Sequence, residues 1–130
     1  MKLEQQVVSL EIAKRLKELG VEQESYLLWA MTEFGNWLVM NHHQAENYKQ
    51  RFPAYTVAEL GEMLPDKFDG YMFGYNPSIK KWWVQPPYEN PEDKENDIII
   101  NADTEADARG KMLIYLIDNG LLKGKSNGEA

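Results

Sequence analysis

The pattern of apolar and polar residues between positions 103 and 121 predicts one long helix, with a capping residue at its start and a stop signal at its end. Thr104 is suited to cap its first turn, and Asp107, three residues later, completes a variant of the capping box. Gly120 follows the last turn and favours a stop. The polar residues share one narrow strip at 100° per residue: Asp107, Lys111 and Asp118. Because the remaining circumference is largely apolar, we expect this helix at the centre of the fold. Its predicted core residues are Met112, Leu113, Leu116 and Ile117.

Two shorter helices are predicted earlier in the chain. Residues 10–19 place apolar side chains on one face and charged side chains on the other, with Ser9 as the N-cap. Thr56 and Glu59 form a capping box that opens a second helix, which Pro65 ends. The first of these helices is amphipathic, so it is expected to cover one side of the fold.

Aromatic and aliphatic runs predict two β-hairpins and one further strand, with turns at Gly35 and Pro77. The predicted strand segments are residues 26–32, 37–41, 71–75, 79–84 and 97–101. The element order is αββαββ(β)α. We therefore predict an α+β fold in which about three helices pack on one antiparallel sheet of four or five strands.

The length of the chain predicts a single globular domain over residues 1–123, followed by a flexible tail at 124–130. The two αββ units are offset by 44 or 45 residues, which aligns Trp37 with Trp82. An ancestral duplication would explain this offset, and so would chance.

The amino-acid composition limits the classes of protein to which the chain can belong. The 130 residues include no cysteine, which excludes disulfide frameworks, thiolate zinc sites and cysteine nucleophiles. Hydrophobic residues make up 43% and charged residues 27%, as in globular domains. The opening residues lack the apolar segment of a signal peptide, and no apolar run reaches the ~20 residues that a membrane span requires. We therefore expect a cytoplasmic protein without a membrane partner.

The net charge of −7, from 21 acidic and 14 basic residues, argues against nucleic acid as a partner. The acidic residues are concentrated between Glu89 and Asp107. This stretch is interpreted as a solvated loop, with an acidic docking surface as the alternative.

No catalytic residue, metal ligand or cofactor is predicted. His42 and His43 are interpreted as polar residues at the end of a strand, because neighbouring side chains of a strand point to opposite faces and cannot readily share a metal. The chain also lacks the glycine-rich loops that bind nucleotide phosphates. An enzyme that uses buried carboxylates would need a concave pocket holding two acids with pKa values pushed apart.

The second predicted hairpin is the candidate binding site. Alternate residues of its first strand share one face, and adjacent tryptophans in its second strand point to opposite faces, so one tryptophan is expected in the core. The candidate binding residues are Tyr71, Phe73, Tyr75, Lys80, Lys81, Trp82 and Trp83. Rings beside lysines suit a protein partner, because Trp and Tyr dominate interface hot spots, and they also suit unpaired bases. Packing of the rings under a helix is the simpler interpretation.

Three segments, residues 8–21, 55–65 and 104–116, resemble a family of small proteins from phages, prophages and other bacterial mobile elements. The resemblance implies a host bacterial cell as the setting and a single-domain α+β fold, and it implies no activity or catalytic residue. Where the family pattern has Ala, this chain has Gly110, which is predicted to lower helix stability by up to ~1 kcal/mol.

These features together predict a small, non-enzymatic phage or mobile-element protein that acts through contacts with a host or phage protein. The alternative is an accessory protein that binds single-stranded nucleic acid on the aromatic hairpin. Formation of a homo-oligomer, through a sheet edge or through the aromatic face, is left open by the sequence.

Overall fold

The computed structural model describes residues 2–22, 24–64, 72–85 and 99–120. These residues form four α-helices, six β-strands and a short 3-10 turn near the N-terminus. The helices are α1 (Leu10–Glu18), α2 (His42–Ala45), α3 (Val57–Met63) and α4 (Glu105–Asp118). The strands are β1 (Leu27–Met31), β2 (Trp37–Asn41), β3 (Arg51–Pro53), β4 (Met72–Asn76), β5 (Lys81–Gln85) and β6 (Ile100–Ala102). The predicted tail at 124–130 lies outside the described residues.

The strands form two antiparallel sheets of three strands each, in the orders β2-β1-β3 and β4-β5-β6. The α+β class and both hairpins are therefore confirmed. The prediction of one sheet with four or five strands is wrong. Neither α2 nor β3 was predicted from the sequence. After β2, helix α2 turns the chain so that β3 pairs with the second edge of β1. The second hairpin forms a separate sheet, in which β5 pairs with β6. The two αββ units differ in topology, since β1 is central in one sheet and β5 in the other.

The first sheet buries residues on both of its faces. Leu28 and Ala30 alternate along β1 and pack against Ala45 of α2, which makes a small separate hydrophobic cluster. Trp29 points the other way, toward the main core, and its indole N–H donates to the Val8 carbonyl oxygen at 2.8 Å. The sheet is thus fixed to the N-terminal segment by both packing and a hydrogen bond.

Helix α4 is the centre of the main core, as predicted, and it contacts α1, α3, β5 and β6. Its buried residues are Ala106, Ala108, Gly110, Met112, Leu113 and Leu116. Of the four predicted core residues, three are buried and Ile117 is partly buried against the cluster. The cluster includes buried residues from α1, α3 and β5, and the partly buried Trp29 of β1 and Phe52 of β3 pack against it. Both sheets and all three longer helices therefore share one core.

The predicted helix boundaries are confirmed by the caps. The Ser9 hydroxyl accepts from the Ile12 N–H, and Gly20 follows α1 with a φ of 89°. Thr56 and Glu59 form the predicted capping box of α3. Leu64, the residue before Pro65, is extended, as expected for a residue that precedes proline.

The capping of α4 differs in one respect from the prediction. The Thr104 hydroxyl accepts from the Asp107 N–H at 3.1 Å, but the reciprocal half of the capping box is not formed. Asp107 Oδ1 instead accepts from the Ser9 N–H at 2.6 Å, 98 positions away in the chain. The carboxylate therefore joins the start of α4 to the start of α1.

Gly110 also has a role that the sequence did not indicate. A Cβ atom at this position would lie 2.8 Å from Ile12 Cγ2 and 2.9 Å from Val8 Cγ1, which are both closer than carbon atoms normally approach. The missing side chain lets α4 pack directly against α1 and the segment before it. The predicted cost of Gly110 to helix stability considered the helix without these neighbours.

Glu59 is a buried carboxylate, 7% exposed, whose oxygens hold together two separate parts of the chain. Its Oε1 accepts from the Thr56 N–H at 2.9 Å and lies 3.0 Å from the Ser25 hydroxyl. Its Oε2 accepts from the Tyr26 N–H at 2.9 Å. These bonds connect the start of α3 to the residues that lead into β1, so the burial of a charged group is compensated by hydrogen bonds.

Candidate functional site

The β4–β5 hairpin has two faces, and its register assigns each predicted site residue to one of them. Phe73 pairs with Val84 and Tyr75 pairs with Trp82, so these four side chains share one face. Val84 is fully buried, which identifies this face as the one that packs against the core. Trp83 pairs with Gly74 and lies on the opposite face.

Tyr75 and Trp82 form an aromatic pair at the edge of the core. Their ring centroids are 5.3 Å apart and their planes are tilted by 58°. Trp82 is partly buried against the core cluster, whereas Tyr75 is 47% exposed. Trp82 is therefore the tryptophan that joins the core, and Tyr75 presents the accessible ring of the pair.

Phe73 lies farther along the same face and contacts the first turns of α4. The guanidinium carbon of Arg109 lies 4.0 Å from the centroid of the Phe73 ring. Arg109 also donates to Glu105 Oε2 from two nitrogens, at 3.1 and 3.2 Å. The guanidinium is thus held between an aromatic ring and a carboxylate, and it fixes α4 to β4.

Trp83 covers Gly74 on the other face of the hairpin. A Cβ atom at Gly74 would lie 2.6–2.8 Å from three atoms of the Trp83 indole. The absence of a side chain at Gly74 is what allows the indole to lie flat across β4. Trp83 is only partly exposed, and it does not belong to the main core cluster.

The two lysines of the predicted site differ in position. Lys80 is exposed in the turn of the hairpin and has a left-handed backbone conformation, with a φ of 54°. The Lys81 ammonium donates to Asp103 Oδ1, on the segment between β6 and α4. This hydrogen bond and the charge of Lys81 hold the pKa of Asp103 below its usual value. Lys81 thereby ties the hairpin to the start of α4.

A cavity of about 380 Å³ lies beside Trp82, where four parts of the chain meet. The N-terminal segment contributes Gln5 and Gln6, and the start of α3 contributes Thr56, Val57 and Ala58. The start of α4 contributes Asp103, Thr104 and Glu105. Its volume lies within the range of small-ligand and side-chain pockets. The walls offer an indole, two small apolar side chains, amide and hydroxyl groups, and two carboxylates.

Two acids outside this cavity, the buried Glu59 and the partly buried Asp107, hold parts of the fold together. Glu59 accepts bonds from the backbone of two segments, and Asp107 accepts the Ser9 N–H. Burial raises the pKa of the Asp107 carboxyl above its usual value, and the bond with Ser9 opposes that shift. Each of these two acids is thus engaged at the start of a helix and does not line the cavity.

Within the described part of the chain, no group of three or more His, Cys, Asp or Glu residues is placed to hold a metal ion. His42 and His43 follow β2, as predicted, but they form the first turn of α2 and not a strand end. His42 Nε2 lies within hydrogen-bond distance of the Ser25 carbonyl oxygen, and His43 lies near Glu46. The two rings therefore have different partners.

The structure brings together part of the predicted binding site. Tyr75 and Trp82 are in contact, and Lys81 is linked to the cavity wall through Asp103. Trp83 lies on the other face, and Tyr71 lies outside the described residues, as does most of the predicted acidic loop. Sequence reasoning did not identify the walls of the cavity from the N-terminal segment and α3. The only available signal was the capping residue Thr56, which marks a helix start but not what the start will face.

Comparisons of the chain with protein-family models, with curated proteins and with solved structures gave no match. Among the described residues, the structure contains no helix with the length and apolar character needed to cross a membrane.

Proposed function

We propose that this protein is a non-enzymatic interaction module whose contact surface is the Tyr75–Trp82 pair together with the adjoining cavity. The observation that supports this most directly is the position of Tyr75, which is 47% exposed and packs on Trp82, a residue of the cavity wall. Exposed aromatic rings next to pockets are the usual hot spots of protein interfaces. The proposed partner is a host or phage protein in the bacterial cytoplasm, in keeping with the resemblance to mobile-element proteins.

The arrangement supports a rigid surface that binds its partner without large rearrangement. Trp82 is held by core packing, Lys81 is bonded to Asp103, and Arg109 is held between Glu105 and Phe73. Side chains that are already fixed lose little conformational entropy on binding, which favours affinity.

The alternative function, stacking of single-stranded nucleic acid, is supported by the exposed Tyr75 ring and the exposed Lys80 on the same hairpin. The net charge of −7 opposes it, because phosphate contacts supply most of the non-specific affinity of such proteins. It predicts that oligonucleotides quench tryptophan fluorescence at low salt and that this effect weakens as salt rises.

The test is affinity capture from bacterial lysate, with and without nuclease, using the wild type and two variants. Tyr75→Ser removes the exposed ring of the proposed surface. Phe34→Ser is the matched control, because Phe34 is 86% exposed in the turn of the other hairpin. We expect the wild type and Phe34→Ser to retain the same partner by mass spectrometry and Tyr75→Ser to retain at least about tenfold less.

Recovery of the same partner by Tyr75→Ser and by the wild type would contradict the proposal, and so would the absence of a reproducible partner. A partner that is lost on nuclease treatment, together with fluorescence quenching by oligonucleotides, would favour the nucleic-acid function.

A further inference from the structure

The cavity beside Trp82 has walls of one charge sign. Only two of its lining residues are ionisable, and both are acids, Asp103 and Glu105. The remaining polar side chains of the wall are amides and hydroxyls, which are uncharged and can both donate and accept hydrogen bonds. The charge of the two carboxylates therefore favours a hydrogen-bond donor with positive charge over an anion.

Each of the two carboxylates has one oxygen in use and one available. Lys81 donates to Oδ1 of Asp103, and Nε and Nη2 of Arg109 donate to Oε2 of Glu105. The other oxygen of each carboxylate makes no hydrogen bond to the described residues. The Asp103 side chain is 78% exposed and the Glu105 side chain 33% exposed, so both are accessible from solvent.

The same face of the hairpin already shows how such a wall binds a cation. Arg109 lies over the Phe73 ring and donates to the Glu105 carboxylate. One guanidinium thus contacts both an aromatic ring and a carboxylate. The lining of the cavity contains the same kinds of group, with Trp82 as the ring and with Asp103 and Glu105 as the carboxylates. Trp is the best aromatic partner for a cation, and Val57 and Ala58 suit the aliphatic stem of a long basic side chain.

We infer that the partner segment bound in this cavity presents a Lys or Arg side chain, with its cation between the Trp82 indole and the carboxylates of Asp103 and Glu105. This inference rests on the proposed function, and it specifies the chemistry of the partner. The excess of 21 acidic over 14 basic residues acts in the same direction, because it attracts cationic partners and repels anionic ones over longer distances.

The test is a titration of the ¹⁵N-labelled protein with two acetylated and amidated pentapeptides, Ala-Ala-Arg-Ala-Ala and its Gln analogue. The Trp82 indole N–H and the backbone N–H of Glu105 report on the cavity. The Arg peptide is expected to cause saturable shifts at these two positions with a dissociation constant on the order of 1 mM. The Gln peptide is expected to cause no saturable shift.

A pair of variants controls for net charge. Asp103→Asn removes a carboxylate of the cavity, and Asp118→Asn removes one from the far end of α4, where it is paired with Arg15. Both variants change the net charge equally. We expect Asp103→Asn to weaken binding of the Arg peptide about threefold to fivefold, and Asp118→Asn to change it by less than about twofold.

Three results would overturn the inference: equal shifts from both peptides, no saturable shift from the Arg peptide, or equal effects of the two variants. The proposed function is judged separately by capture. If Tyr75→Ser abolishes capture of the partner while the two peptides behave alike, the interaction function stands and the cationic partner is excluded. If Tyr75→Ser has no effect on capture, the proposed function itself fails.

Discussion

At the scale of single residues, Gly110 shows how a helix position can be determined by its neighbours. In an isolated helix, Ala would be preferred to Gly by about 1 kcal/mol. In the protein, the added methyl group would press against Ile12 and Val8. Both are β-branched, so their methyl groups have little freedom to rotate away.

We expect Gly110→Ala to lower the free energy of unfolding by about 1–3 kcal/mol, because the cost of overpacking exceeds the gain in helix propensity. Gly61→Ala is the matched control, since Gly61 lies in α3 and a Cβ atom there would meet nothing within 4 Å. That variant is expected to stabilise the protein by up to about 1 kcal/mol. Urea denaturation of both variants measures the difference, and equal stabilisation by the two would contradict the packing explanation.

At the scale of secondary-structure elements, the contact between Asp107 and Ser9 joins the first and last helices. Burial raises the pKa of Asp107, so the fold favours its neutral form. A carboxyl whose pKa is higher in the folded state contributes stability below its unfolded-state pKa, and loses that contribution as the pH rises through the folded-state value. At neutral pH the hydrogen bond from the Ser9 N–H therefore offsets part of the free-energy cost of burying the Asp107 carboxylate.

We expect Asp107→Ala to lower the free energy of unfolding at pH 7 by about 1–3 kcal/mol, because the Ser9 N–H loses its acceptor. Asp107→Asn keeps an oxygen for that N–H and is expected to stay within about 1 kcal/mol of the wild type. Relative to Asp107→Asn, the wild type should gain stability as the pH falls. Urea titrations of the three proteins at pH 7 and under acidic conditions measure these differences in the free energy of unfolding. A wild type that loses stability relative to Asp107→Asn as the pH falls would contradict the expectation, and so would an Asp107→Ala variant as stable as the wild type.

Elements that are defined by local signals could be predicted from the sequence, and those defined by distant contacts could not. Ser9, Thr56 and Thr104 cap their helices through bonds to residues three positions on, so each cap is visible in a short window. By contrast, β3 has three residues and includes Pro53, and it is a strand only because β1 offers an edge for it. The cavity is harder still, since its walls come from four parts of the chain, and Trp82 is the one candidate binding residue among those that line it.

At the scale of the whole molecule, burial is unevenly distributed between a large cluster and a small one. The large cluster surrounds α4 and unites both sheets, whereas the small one consists of Leu28, Ala30 and Ala45 with two partly buried neighbours. Regions with few buried apolar contacts open locally at lower free energy than the centre of a core.

We therefore expect the slowest amide hydrogen exchange in α4 between Met112 and Leu116, and markedly faster exchange in α2 and β2. Exchange followed by NMR under native conditions measures this order, and the backbone amides of β5, which also pack on α4, serve as an internal comparison. Equal protection of α2 and α4 would contradict the assignment of one dominant core.

The contact between Ser9 and Asp107 also has a consequence for synthesis of the protein. The N-terminal helix is translated first, but the residues that cover Ile12 and complete its packing are among the last described ones. At synthesis rates of 5–20 residues per second, the 98 positions between Ser9 and Asp107 correspond to roughly 5–20 s. During that interval the apolar side of the first helix lacks the part of its native cover that α4 supplies, although β3, which also contacts α1, has already been synthesised. We expect chaperones that bind exposed apolar segments to associate with the chain in that period and to be released when α4 has left the ribosome.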